Sequence, residues 1–433
     1  MLTLEERIIE VKAVRFGDQT KLSGDVLTLN KAELINLIMD ELKFSAVDLE
    51  LASPGENCRI VRVADVIEPR VKISGQGQVF PGMIGSVAQV GAGQTVCLKG
   101  LNIVETWQMP NRIKMMIDME GEAAGYTPLS NSFNLVIVAK PLTNLSENEY
   151  ASALKHSSLE LARYLAEKVE HHIPKETVTY SLEEQNGNCS RDLPRLVYVC
   201  QLYAVKHLAQ TLIYGHSNHN MFPTIMHPNE FFDGALVNYQ YDNMKISETT
   251  KTYQNQPVIK ELYRRHGKDL LFAGVILKDT PYSLEDKKRS AMFTAKLARW
   301  LLQADGVILT KEGGGHPQID LSLISEYCAA VGITSTIILA ETGSSTGLAS
   351  EMTLFNAETA TNLISCGRDE KIEIKPAARI IGDALTEAQR NEEKKIDVSN
   401  DLDIFYGGGK ISIWSIRGAI SQVGENHLTT LEL

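Results

Sequence analysis

The chain has 433 residues and a mass of 47.9 kDa, enough for a large core and, at roughly 100–200 residues per domain, for two or three packed units. Hydrophobic residues at 43%, charged residues at 22% and a mean hydropathy of −0.12 exclude a disordered, collagen-like or disulfide-dense protein. Lys and Arg number 43 against 54 Asp and Glu, a net charge of −11 with no sustained basic stripe to neutralise a phosphate backbone, so nucleic acid is not an expected partner.

No window nears the roughly 18 uninterrupted apolar residues of a membrane span, and the opening MLTLEERIIEVKAV sets charges where a signal peptide needs its apolar region. A cytoplasmic chain without a membrane span is expected. The cysteines, Cys58, Cys97, Cys189, Cys200, Cys328 and Cys366, are scattered without a CxxC pair, which signals neither a disulfide framework nor a zinc site.

Up to about residue 130 the pattern predicts short strands broken by glycine: extended runs over Leu4–Arg15 and Val26–Leu29, a helix over Lys31–Leu42, then β-branched runs punctuated from Gly55 to Gly93. From Phe133 an apolar run, NLVIVAKP, feeds a helix over about Glu147–His172. The stretch His172–Leu196 is polar, holds prolines and an Asn-Gly pair, and is expected as an exposed loop. Beyond it, RLVYVCQLYAV, HGKDLLFAGVIL, ADGVILTKE and GITSTIILAE are apolar strands that alternate with helices over about Leu284–Gln303 and Ile319–Val331. Gly382–Ser399 is expected as a charged helix, KISIWSIRGAI as a last strand, and the apolar stripe Met292–Leu302 as core. The predicted fold is α/β, a doubly wound, mostly parallel sheet preceded by a β-rich N-terminal unit. Residues 1–130 form that unit, and residues 131–433 form the α/β unit with a Rossmann-like region about 267–380.

Three sets of residues could carry chemistry. Cys189 sits in the polar stretch Asn188-Cys189-Ser190-Arg191-Asp192, where the positive charge of Arg191 favours a thiolate; a loop thiol without a role is the alternative reading. The loop Lys311-Glu312-Gly313-Gly314-Gly315-His316 lies between a strand and a helix, and Thr342-Gly343-Ser344 opens a similar loop after the next strand. Backbone N–H groups there suit a carboxylate or phosphate, although neither GxxxxGK[ST] nor GxGxxG is present and a plain tight turn also explains the glycines. His216, His219 and His227 are close in sequence, but Asn218, Asn220 and Pro223 interrupt helical spacing, so hydrogen-bonded loop histidines are expected and no metal site is assigned.

The segments GNCSRDLPRLVYV, NQPVIKELYRRHGKDLLFAGVIL and DKKRSAMFTAKLARWLLQADGVILTKEGGGHPQIDL resemble the pyruvoyl-forming proprotein of component B of glycine, sarcosine or betaine reductase. The resemblance runs over most of the chain. It implies self-cleavage at 188–189, with Asn188 supplying the carbonyl and Cys189 becoming a pyruvoyl group, the cofactor of the reaction. It implies a Schiff base with the substrate amine, as with a pyridoxal cofactor, and reductive C–N cleavage to acetyl phosphate with partner proteins, among them the selenocysteine-containing subunit of component B. Glycine and sarcosine can form the imine or iminium; betaine, with a quaternary nitrogen, cannot. Other readings are a proline-reductase-type pyruvoyl subunit, an uncleaved amino-acid-binding or scaffold subunit, and a metal-dependent hydrolase using the histidines.

Overall fold

The computed structural model describes residues 2–110, 115–183, 193–242, 248–341, 362–396 and 401–424. Among them the chain forms seven sheets, so α/β is the class, and one sheet of six strands is the mostly parallel layer.

The N-terminal part is built from β1 (Leu4–Glu10), α1 (Lys31–Met39), β2 (Phe44–Ala52), β3 (Cys58–Ile60), β4 (Val63–Ile67), β5 (Arg70–Ser74), β6 (Gly93–Lys99), β7 (Leu101–Thr106), β8 (Phe133–Pro141), α2 (Glu147–Glu167) and β9 (Glu176–Tyr180). Two four-stranded sheets, β9-β1-β6-β5 and β2-β8-β7-β4, each contain one parallel pair, β1 with β6 and β7 with β8. Leu154 and Leu161 of α2 bury against Ile103, Leu135 and Val136 of these strands. A capping box starts α2: Ser146 Oγ accepts from Glu149 N, and the Glu149 carboxylate accepts from Ser146 N.

β9 corrects an expectation, because it lies inside the stretch read as loop. Its sequence ETVTY holds three successive β-branched residues, Thr177, Val178 and Thr179, and the edge of β1 supplies the partner that local sequence could not show.

The second part carries the six-stranded sheet in the order β11-β12-β10-β13-β14-β15, with β10 (Arg195–Gln201), β11 (Thr224–Met226), β12 (Leu271–Lys278), β13 (Gly306–Lys311), β14 (Thr334–Glu341) and β15 (Asn362–Arg368). Only β11, at the edge, runs antiparallel. These strands read as continuous apolar runs because both faces are covered. Tyr198, Cys200, Val275 and Leu277 pack on one face with Ile259 and Leu262 of α3 (Pro257–Arg265). Val197, Val199, Ile276 and Leu309 pack on the other with α4 (Leu284–Lys296) and α5 (Pro317–Ala330).

The stripe Met292–Leu302 was expected in the core, and the structure buries the other side of that helix. Ala291, Ala295 and Ala298 face the sheet, whereas Phe293, Trp300 and Leu301 are exposed. A single π turn over Leu297–Leu301 changes the side-chain register at the end of α4, and with Phe222 the exposed rings line a groove of about 450 Å³.

The C-terminal segment returns to the N-terminal part. A strand over Arg379–Ile381, β16, pairs in parallel with β3; the charged helix is α6 (Glu387–Ile396); and the last strand, β17, is only Gly409–Ser412 before a 3-10 turn. Arg59 is buried across this junction, donating to Phe405 O at 2.7 Å and Lys375 O at 2.8 Å. Lys72 pairs with Asp233 at 2.5 Å, and Arg417 donates to Val63 O and Ala64 O at 2.8 and 2.9 Å. Residues before 184 and after 192 thus share a buried, hydrogen-bonded seam.

A candidate site at the carboxyl ends of the parallel strands

From β10 the chain goes to β12 on one side and then returns past β10 to β13 on the other. The carboxyl ends of β10 and β13 therefore flank the switch point where ligands settle in open α/β sheets. Each apolar run there ends in a polar residue: Gln201 on β10, Lys278 on β12 and Lys311 on β13, all with no exposed surface.

Lys278 Nζ donates to Asp320 Oδ1 at 2.9 Å and to Gln201 Oε1 at 3.1 Å. Lys287, from α4, pairs with the other oxygen of Asp320 and donates to His316 Nδ1 at 2.9 Å. A lysine ammonium can only donate, so His316 carries its proton on Nε2, which faces the Tyr203 hydroxyl at 3.1 Å. Burial, with Lys287 adding to it, holds His316 below its ordinary pKa and keeps the ring neutral. Burial also lowers Lys278, against the opposing pull of Asp320.

Lys311 donates to Gly313 O at 2.5 Å and to Gln422 Oε1 at 2.9 Å. Glu312 turns the other way. It accepts from Tyr203 N at 2.7 Å, from Thr211 Oγ1 at 2.6 Å and from the Tyr253 hydroxyl, and burial pushes its pKa up.

The loop Gly313–His316 covers this cluster and leads into α5. At Gly313, φ is +73° and a Cβ would lie 2.8 Å from the Tyr203 ring, so only glycine fits; Gly314 and Gly315 are exposed. The Tyr282 ring stands 5.0 Å from that of His316 at the mouth.

Gly313, Gly314, Gly315 and His316 thus form one loop at the carboxyl end of β13, over the Lys278–Asp320 cluster. Asn188 and Cys189 lie outside the described residues, as do Thr342, Gly343 and Ser344, although β14 ends at Glu341 just before them. Described chain resumes at Leu193 before β10, at the opposite end of the sheet. Lys278, Lys287 and Asp320 were not singled out from sequence; the signal was a lysine closing an apolar strand run.

The histidines are dispersed. His216 and His219 are exposed, while burial pushes His227 down to about 4, with its Nδ1 accepting from Asn229 N at 3.3 Å. Among the described residues no three His, Cys, Asp or Glu side chains are grouped to hold a metal. No described helix is long and apolar enough to cross a membrane.

The family model for glycine/sarcosine/betaine reductase component B subunits matches residues 2–429. The chain is 34% identical over 432 residues to the glycine reductase complex component B subunits alpha and beta of Acetoanaerobium sticklandii, covering 99% of each chain. It is 36% identical over 384 residues to the sarcosine reductase complex component B subunit alpha of Peptoclostridium acidaminophilum, covering 88% of this chain and 89% of that one. It is 32% identical over 388 residues to the betaine reductase complex component B subunit alpha of the same organism, covering 86% of each. No solved structure matches the chain. With the family model aligned over nearly its whole length and relatives of all three kinds at about a third identity, the chain belongs to the glycine/sarcosine/betaine reductase component B subunits.

Proposed function

We propose that this chain is the precursor of the substrate-activating part of an amino-acid reductase, that it cuts itself between Asn188 and Cys189, and that the new N-terminus carries a pyruvoyl group. The observation that carries this reading is that one chain of the same extent in Acetoanaerobium sticklandii bears the names of two subunits, alpha and beta. The cysteine inventory supports it. Cys58, Cys97, Cys200, Cys328 and Cys366 are buried, and burial pushes Cys58, Cys200, Cys328 and Cys366 up to about 12 and raises Cys97 as well, which keeps them as unreactive thiols. Cys189 is the remaining cysteine.

In this reading the Cys189 sulfur attacks the Asn188 carbonyl carbon, and the peptide C–N bond gives way to a thioester with a free amine. Elimination then breaks the Cβ–S bond, leaving a thiocarboxylate on residue 188 and an enamine on residue 189. Water replaces the enamine nitrogen, releasing ammonia and leaving the pyruvoyl ketone. A pyruvoyl carbonyl at residue 189 would hold the nitrogen of glycine or an N-methylated glycine as a Schiff base, making that nitrogen the leaving group that a selenolate on a partner subunit would displace from the α-carbon. The loop Gly313–His316, with Thr342, Gly343 and Ser344 after β14, receives the substrate carboxylate.

Borohydride treatment of the cleaved protein with labelled glycine or sarcosine should fix the label on the fragment that starts at position 189; label on the other fragment, or on neither, counts against the mechanism. Gly314→Val should weaken substrate use while leaving the cut intact, since Gly314 is not among the glycines with positive φ. A lost hydrogen bond to a charged group costs about 1.5–3 kcal/mol, or roughly tenfold to a hundredfold in apparent substrate affinity. Steady-state kinetics of the cleaved variant check this, and an unchanged affinity removes the loop from the site.

A further inference from the structure

We propose that the exposed face of α4 and its π turn is a docking surface for a second copy of this chain, the two helices crossing antiparallel about a two-fold axis near Met292 and Phe293. Neither the cut at residues 188 and 189 nor the loops at the carboxyl ends of the strands enter into it.

Packing on the sheet sorts this helix into two sides. Lys287, Ser290, Ala291, Thr294, Ala295 and Ala298 are buried at three- and four-residue spacing, which leaves Glu285, Asp286, Arg289, Phe293, Lys296 and Trp300 as a stripe on the other side. Trp300 is 67% exposed and Leu301 63%, and Phe222, at 65%, stands with its ring centroid 6.0 Å from that of Phe293. The groove of about 450 Å³ between them has Lys296 as its one charged lining residue. The Lys296 ammonium lies 5.7 Å from the ring centroids of both Phe293 and Trp300, a contact that holds the two rings along the stripe. Large apolar side chains this exposed and this contiguous mark a surface that another protein covers.

Charge along the stripe names the occupant. Its N-terminal end carries Glu285 and Asp286, which pair with Lys288 and Arg289 one turn on, in exposed contacts that water screens. Its C-terminal end carries Lys296 and Arg299, and among the described residues no carboxylate pairs with either. An antiparallel two-fold crossing centred on Met292 and Phe293 lays the acidic end of each helix on the basic end of the other and brings Phe293 beside its own copy. A parallel crossing would set acid on acid and base on base. A foreign partner would require no match of the stripe to itself, and this stripe has one. From Asp286 to Trp300 it runs roughly 21 Å. A standard interface takes roughly 800 Å² from each partner, so the exposed Phe222 and Ile225, at the edge of the sheet on β11 and just before it, belong to the same surface.

Sedimentation velocity of the purified full-length chain over a concentration series tests the surface. A species of twice 47.9 kDa should form, whether or not the chain is cut, because the pieces of one protomer stay joined by their buried seam. Arg299→Glu and Glu285→Arg should each weaken association about tenfold or more, and the two together in one chain should restore most of it. Trp300→Ser should weaken it to the same extent. All three side chains are exposed, so the thermal midpoints of the variants should stay at that of the parent. A monomer at every concentration, a dimer unmoved by the single substitutions, or a double variant as weak as either single one overturns the proposal. A monomeric chain whose Trp300→Ser variant loses binding to the selenolate-bearing partner subunit also overturns it, and assigns the face to that subunit.

Discussion

The chain matured in its own host should run under denaturing conditions as two pieces, in proportion to their lengths roughly 21 and 27 kDa out of 47.9 kDa. Cys189→Ala should remain whole, because alanine has no sulfur to attack the Asn188 carbonyl. Under native conditions the two pieces should travel together. Their seam includes the parallel pairing of β3 with β16, the buried Arg59 contacts to Phe405 O and Lys375 O, and the Lys72–Asp233 pair. Intact-mass spectrometry and native gel filtration check both halves of the expectation, and a species that stays at 47.9 kDa would end the pyruvoyl reading.

The largest stability effect is expected at Arg70. This guanidinium has no exposure and donates to Glu6 Oε1 at 2.5 Å, to Phe232 O at 2.6 Å and twice to Glu68 Oε1, at 2.8 and 3.2 Å. Arg70→Met removes the group between two buried carboxylates, and breaking a buried pair from one side costs about 3–5 kcal/mol. The urea midpoint should fall accordingly at pH 7.

The pH dependence has a definite sign. Burial alone would raise Glu6 and Glu68, but for Glu6 the charge of Arg70, and for Glu68 those of Lys99 and Arg70, more than offset it and hold both below the usual carboxylate range. Depressed acids stabilise the fold above their unfolded pKa, near 4.3, and lose that contribution as pH falls through the folded value. In Arg70→Met the buried acids have lost that charge and are relieved by protonation. The gap between variant and parent should therefore be widest near pH 7 and shrink toward pH 4; equal midpoints at pH 7, or a gap that widens in acid, would contradict this account.

Much of the second part was legible because its code is local. Parallel strands covered on both faces read as unbroken apolar runs, as in RLVYVCQ and LFAGVILK. The glycines at Gly313 and Gly315 were likewise marked by type. What stayed hidden depends on neighbours distant in sequence. Strand β9 exists because β1 offers an edge, and β16 because β3 does. The face of α4 was misassigned because hydrophobicity ranks Phe293 and Trp300 above Ala291 and Ala295, whereas close packing on the sheet selected the small residues.

The candidate cysteine and the family were carried by sequence alone, through residue identity around Asn188 and Cys189 and the resemblance over most of the chain. The crevice was decided by tertiary structure: Lys278 reads as the end of one strand, Lys287 as part of a charged helix and Asp320 as a helix-starting residue. Strand order places β12, β10 and β13 side by side, so side chains from three separate segments meet on one carboxylate, and a periodicity confined to neighbouring residues carries no record of that meeting.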